Sequence, residues 1–232
     1  MTPPETLAVL AVGGLLGLRH AFEPDHLAAV STLATRQGSL WSAARLGLAW
    51  GVGHTATVGA IVVLIGALGM RLPPSNWPAA ELVVAVLLVV LGGAVIWRYV
   101  RGRWHMHVHA HEAERHFHLH SHAREEGHGH FHPSSDAGRS LAFGIAHGFA
   151  GSGAIAVLLV AAAPTNALRL AYFIAFGAGT IGGMLVVSLA LGAVVRVAAE
   201  RGARWATALH LGSAVVSVLA GVVLAQRVVF GG

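Results

Sequence analysis

Six apolar stretches, roughly 6–34, 42–70, 79–100, 140–163, 167–195 and 206–228, make up most of this chain. Each can cross a hydrocarbon core about 30 Å thick, which takes about 20 helical residues. Such a core offers no water to backbone N–H and C=O groups, so only helices or a closed barrel can span it. No stretch alternates with period two over the ~10 residues a barrel strand needs. The expected fold is therefore an all-α polytopic membrane protein with six transmembrane helices. Pro73, Pro74 and Pro78 punctuate the second junction and Pro164-Thr165-Asn166 the fourth, where proline cannot continue a helix. Only 11% of residues are charged and 55% are hydrophobic, whereas a soluble surface takes about 25% charged residues.

Every basic residue other than histidine is Arg. Eleven of them (Arg36, Arg45, Arg98, Arg101, Arg103, Arg115, Arg124, Arg139, Arg196, Arg201 and Arg204) follow the first, third and fifth stretches. Only Arg71, Arg169 and Arg227 fall on the other side, and Arg19 lies inside the first stretch. Basic residues collect on the cytoplasmic side of membrane helices, so both termini are expected outside a bacterial-type inner membrane and the long central loop inside. The basic balance thus has a topological cause and does not point to nucleic acid. Cysteine is absent, which removes disulfides and thiolate metal sites. The N-terminus has no basic residue ahead of its apolar run; the first helix is expected to stay in the mature protein.

Three divisions follow: a first membrane unit, 1–103; a hydrophilic loop, 104–138; and a second membrane unit, 139–232. The loop holds His105, His107, His109, His111, His116, His118, His120, His122, His128, His130 and His132. With few core-forming residues between them it is expected to be disordered without metal. Its His-x-His pairs suit weak, multidentate buffering of metal rather than selection. The two membrane units echo one another. Gly17-Leu-Arg-His-Ala-Phe matches Gly144-Ile-Ala-His-Gly-Phe, pairing His20 with His147 at an offset of 127, and Trp50-Gly-Val-Gly matches Phe176-Gly-Ala-Gly at an offset of 126. Units of three helices related by duplication must lie inverted in the bilayer, a transporter architecture with its substrate near the midplane.

The densest chemistry is in the first stretch: Arg19-His20-Ala21-Phe22-Glu23-Pro24-Asp25-His26. A charged side chain in mid-membrane costs about 2.5 kcal/mol or more, so this grouping requires a return. Two imidazoles and a carboxylate suit borderline divalent ions. On a straight helix His20 and Asp25 would lie about 140° apart and could not share an ion. Pro24 lacks an N–H and its ring clashes with the carbonyl of His20, so the helix is expected to break between them, freeing a carbonyl that could face an ion path. Arg19 is placed to pair with Glu23 at i,i+4.

The His20-x₄-Asp25-His26 pattern resembles the signature of the nickel/cobalt transporter family, and Gly17 through Thr32 looks most like its urease-accessory nickel permease branch. Gly51-Val-Gly-His-Thr resembles that family's second motif, and His147-Gly-Phe-Ala-Gly-Ser-Gly a third. The resemblance implies that His20, Asp25, His26 and His54 line the metal path, with Ni²⁺ or Co²⁺ as cargo and no permanently bound cofactor. Glu23 stands where the family often has Asp, and the Asp-containing fifth-helix motif of the larger, eight-helix members is missing.

His147 joins the candidate ligands through its repeat relation to His20; His210, near a helix end, reads as an interfacial or packing residue. No Gly-x₄-Gly-Lys-Ser/Thr loop is present, so the chain does not itself hydrolyse ATP. The leading expectation is a secondary carrier working in uptake. Efflux, a metal sensor and the substrate-binding subunit of an ATP-driven importer are the alternatives, and an intramembrane hydrolase would have Glu23 as its only local base. A cytosolic metallochaperone is a candidate partner.

Overall fold

The computed structural model describes residues 3–34, 39–68, 77–101, 104–111, 114–121, 133–151 and 165–230. Seven helices and one two-stranded ladder lie among them: α1 (Pro3–His20), α2 (Pro24–Ala34), α3 (Leu40–Leu68), α4 (Trp77–Val100), β1 (Trp104–His111), β2 (Glu114–Ser121), α5 (Pro133–Gly151), α6 (Asn166–Glu200) and α7 (Ala203–Phe230). Four helical segments are long and apolar enough to cross a membrane: Leu40–Leu64, Pro78–Val100, Asn166–Glu200 and Ala203–Phe230. Thr6–His20 and Pro24–Ala34 make a fifth if taken as one span bent by 59°. The expected fourth stretch, 140–163, is described only as far as Gly151; the remainder lies outside the described residues.

The end of one helix shows how the elements overrun the apolar stretches. Helix α6 runs to Glu200, not 195, and near its end Arg196 Nε donates to Glu200 Oε1 at 3.2 Å. Hydropathy marks where a helix leaves hydrocarbon, not where its hydrogen bonds stop. Gly202, at a φ of 126°, then reverses the chain into α7, a backbone conformation in which glycine carries no Cβ penalty.

The His-rich segment, expected to lack fixed structure, contains β1 and β2. They pair antiparallel, with His105 opposite His120, His107 opposite His118 and His109 opposite His116. Composition alone suggested disorder, but β1 reads Trp-His-Met-His-Val-His-Ala-His, a strict alternation of period two. At eight residues each, β1 and β2 are shorter than the ~10 a barrel strand needs.

Many large side chains point outward from the helices and many alanines inward, although Trp50, Leu88 and Met184 are buried. Leu15, Val90 and Phe230 are exposed, while Ala21, Ala34, Ala43 and Ala214 are fully buried. Lipid tails are as apolar as leucine, so membrane helices gain by close backbone approach, not by hiding large residues. Helix α1 packs on α6, α3 on α5, and α4 on α7. A hydroxyl crosses each pair: Thr180 Oγ1 to the Gly17 carbonyl at 3.2 Å, Ser140 Oγ to Leu46 at 2.9 Å and Ser217 Oγ to Leu88 at 3.0 Å.

These contacts recur between the two halves at offsets of 126 to 129 residues. A Cβ at Gly17 would overlap the Phe176 carbonyl, and one at Gly144 would overlap the Trp50 carbonyl. Gly53 abuts the Leu141 carbonyl as Gly179 abuts that of Gly14, and Gly92 abuts Ala214 as Gly221 abuts Ala85. The helix pairs therefore exchange partners in the same way that the sequence echo exchanges residues.

Candidate metal site among the membrane helices

The break predicted at Pro24 falls between α1 and α2. The α1 hydrogen bonds end with Ala21 N–H on Gly17 O, and a tightened turn follows, Phe22 N–H on Arg19 O at 2.9 Å and Glu23 N–H on His20 O at 3.0 Å. The His20 carbonyl is thus taken by the turn and is not left free toward an ion path, as the missing Pro24 N–H had suggested. A 3₁₀-type bond satisfies the orphaned acceptor more cheaply than a buried ion-facing carbonyl would.

The turn brings His20, at the end of α1, onto the same side as Asp25 and His26 in the first turn of α2. Helix α3 adds His54 and α5 adds His147. All four imidazoles are buried, at 4% (His20), 1% (His26), 0% (His54) and 2% (His147) exposure. His20 Nε2 lies 3.0 Å from His54 Nε2; only one proton fits between the two nitrogens, so one ring donates and the other accepts. Asp25 is the hub of the other half. Its Oδ1 accepts from the His26 backbone N–H at 2.9 Å and lies 3.1 Å from His26 Nδ1, and its Oδ2 lies 3.1 Å from His147 Nε2. With Nδ1 turned to Asp25, His26 presents Nε2, which is buried and without a partner, as is His54 Nδ1. Unpaired polar atoms inside a protein are costly, and a cation held beside these imidazoles would offset that cost.

Two sets of donors could hold a metal ion: His20, His26 and His54; and Asp25, His26 and His147, the atoms of each set lying within 4.8 Å of one another. Bonds of ~2.1 Å place ligand atoms at most about 4.2 Å apart, so either set closes on an ion by a small side-chain adjustment. The chemistry of the donors, neutral imidazole with carboxylate and no sulfur, fits Ni²⁺, Co²⁺ or Zn²⁺.

Glu23 pairs differently from the sequence expectation. Its Oε2 lies 3.0 Å from His20 Nδ1, without hydrogen-bond alignment, while Arg19 is exposed. Among the described residues no ion pair joins Arg19 to Glu23, because the turn over residues 21–23 ends the helical register that an i,i+4 pair needs. His210 is buried on α7, where Ser213 Oγ donates to its carbonyl at 2.9 Å, and it belongs to neither donor set among the described residues. The histidines from 122 to 132 lie outside the described residues.

Sequence reading passed over Trp50. It is 1% exposed, stacks on Phe143 (6.3 Å, 4°) and sits 5.6 Å from the His147 ring, with its indole N–H unpartnered. Its echo partner Phe176 lies 5.7 Å from His20. The pairing with Phe176 was the available signal; which histidine each aromatic flanks required the packing of α3 on α5.

Apolar helices around a buried cluster of imidazoles and a carboxylate define a multi-pass membrane protein equipped to handle a divalent transition-metal ion. Residues 6–230 match the NicO family, described as high-affinity nickel-transport protein, and the chain belongs to that family. It is one of transport proteins, not enzymes. The chain is also 30% identical over 201 residues to the urease accessory protein UreH of Bacillus sp. (strain TB-90), an alignment covering 87% of this chain and 83% of that relative. No solved structure matches the chain.

Proposed function

We propose that this chain is a secondary carrier that takes up Ni²⁺, or the chemically similar Co²⁺, across the cytoplasmic membrane. The observation that carries the reading is the convergence of His20, Asp25, His26, His54 and His147 from four helices into one buried chamber at a helix break. A bare divalent cation cannot enter hydrocarbon; imidazole and carboxylate must replace its water. Metal binding needs lone pairs where protons now sit. The proton between His20 and His54 can pass to a δ nitrogen, and on His20 that nitrogen faces Glu23. Once aligned on that nitrogen, such a carboxylate fixes the tautomer that leaves Nε2 to the metal.

In this reading the six predicted spans form two inverted three-helix repeats, 1–103 and 139–232, and the halves rock about the chamber. The exchanged contacts of Gly17 with Phe176 and Gly144 with Trp50 support it, and so does the helix break, which a membrane tolerates only beside a cavity or packed protein. The bias of Arg toward one side supports external termini and a cytoplasmic His-rich loop, where the loop buffers arriving metal. A relative named as accessory to urease supports supply of metal over its removal.

Accumulation of radioactive nickel in cells expressing the chain alone tests this. His20→Ala and Asp25→Asn are expected to lose uptake by about 100-fold, since ligand loss has at least the effect of losing a supporting residue. Deletion of 104–132 is expected to keep most of it. Export instead of accumulation would reverse the direction. Uptake surviving both substitutions but lost with the loop would remove the pathway from the helix break.

A further inference from the structure

The two donor sets share one residue. His26 belongs both to the group with His20 and His54 and to the group with Asp25 and His147. We propose that the chamber holds its cation at two successive positions, an all-imidazole one and a carboxylate one, and that His26 passes the ion between them. The proposal rests on the reading that a divalent metal ion is the cargo, and adds the internal order of the path.

Geometry places His26 in the middle. Its ring centroid is 4.5 Å from that of His20 and 4.3 Å from that of His147, nearly edge-on to both at 68° and 75°. His54 and His147 are 6.0 Å apart and belong to different sets. Each ring nitrogen of His26 also has its own environment: Nδ1 on Asp25, Nε2 free of any partner.

The two positions differ in charge. Asp25 cancels one positive charge of an ion beside it, whereas an ion among His20, His26 and His54 has no carboxylate among its ligands, only Glu23 behind His20. A path conducts when each position binds well enough to be entered and weakly enough to be left. One site using every donor would oppose release; two partial sites sharing an imidazole do not.

The exterior agrees with this division. The imidazoles are buried, while the Asp25 side chain is 26% exposed and that of Glu23 48%. Each position also has its own aromatic neighbour, Phe176 by His20 and Trp50 by His147, residues related by the packing echo. Ends of a chamber related in this way are what a carrier needs to offer one cargo to two sides in turn.

The test is equilibrium binding of ⁶³Ni²⁺ to the purified full chain in detergent. The loop background is taken from a chain with His20, His26, His54 and His147 all changed to Asn. His54→Asn and His147→Asn are each expected to retain binding above that background, with affinity within about tenfold of the parent, while uptake into proteoliposomes falls about 100-fold. His26→Asn, and the His54→Asn/His147→Asn pair, are expected to bind at background. If either single change at 54 or 147 lowers binding to background, the chamber is one site and the proposal is overturned. If His26→Asn and the pair both bind like the parent, the chamber is not where nickel sits and the carrier reading fails with it. Should His26→Asn not yield monodisperse protein, the comparison of the two single changes with their pair decides the same question.

Discussion

Glu23 shows how much a single side chain can depend on one turn. Helical spacing assigns it to Arg19; the break at residues 21–23 assigns it to His20 Nδ1, 3.0 Å away. A carboxylate behind a metal-binding imidazole fixes its tautomer and raises its basicity, and losing such a partner costs 10–100-fold in affinity as an order of magnitude (about 1.4–2.7 kcal/mol). Glu23→Gln is therefore expected to raise the nickel concentration for half-maximal uptake by about tenfold with little change in protein yield. An unchanged concentration dependence would make Glu23 a bystander. The cluster itself was legible at this scale, because ionisable residues are so expensive in a membrane helix that their presence calls for a function. Their partners were not, since the hydrogen bond between Asp25 and His147 joins residues 122 positions apart in the sequence.

At the scale of helices, glycine sets the spacing. Gly17 and Gly144 each lie against a neighbouring helix's carbonyl, of Phe176 and Trp50 respectively, with no room for a methyl group. Gly93 on α4 has nothing within 4 Å of an added Cβ. Gly17→Ala and Gly144→Ala are expected to destabilise the protein by about 1–3 kcal/mol through forced separation of packed helices. Gly93→Ala should be neutral, or up to about 1 kcal/mol more stable through better helix propensity. Thermal unfolding of the detergent-solubilised variants measures all three; equal losses at Gly17 and Gly93 would show that backbone flexibility matters here and close approach does not. Hydropathy marked six stretches, of which the described residues show four spans, or five with the bent pair, and the break was readable from proline chemistry. The β1–β2 ladder and the end of α6 at Glu200 were not, because alternation over eight residues and a helix end carrying Arg196 and Glu200 both look like loop when only apolar length is counted.

For the whole molecule, orientation is the open quantity that chemistry can reach directly. The chain has no cysteine, so one introduced thiol reports without background. Ser39 and Thr165 are both exposed and adjoin helix ends, of α3 and α6. From the Arg distribution, Ser39 is expected inside and Thr165 outside. In intact cells a membrane-impermeant maleimide is expected to label Thr165→Cys and to label Ser39→Cys only after lysis. The reverse pattern would invert the topology, and labelling of both in intact cells would break the odd number of crossings between them.

What the sequence determined by itself is the solvent and the cargo chemistry: apolar runs of spanning length, a sulfur-free set of imidazole and carboxylate donors, and a proline that breaks the helix among them. These are local properties, fixed by composition and by spacing within a few residues. Tertiary structure alone decided which donors meet. Packing of α5 on α3 and of α6 on α1 brings His147 to Asp25 and His54 to His20, and it sets His26 between them. Distances across the chamber depend on how closely four separate helices approach, which no window of neighbouring residues encodes.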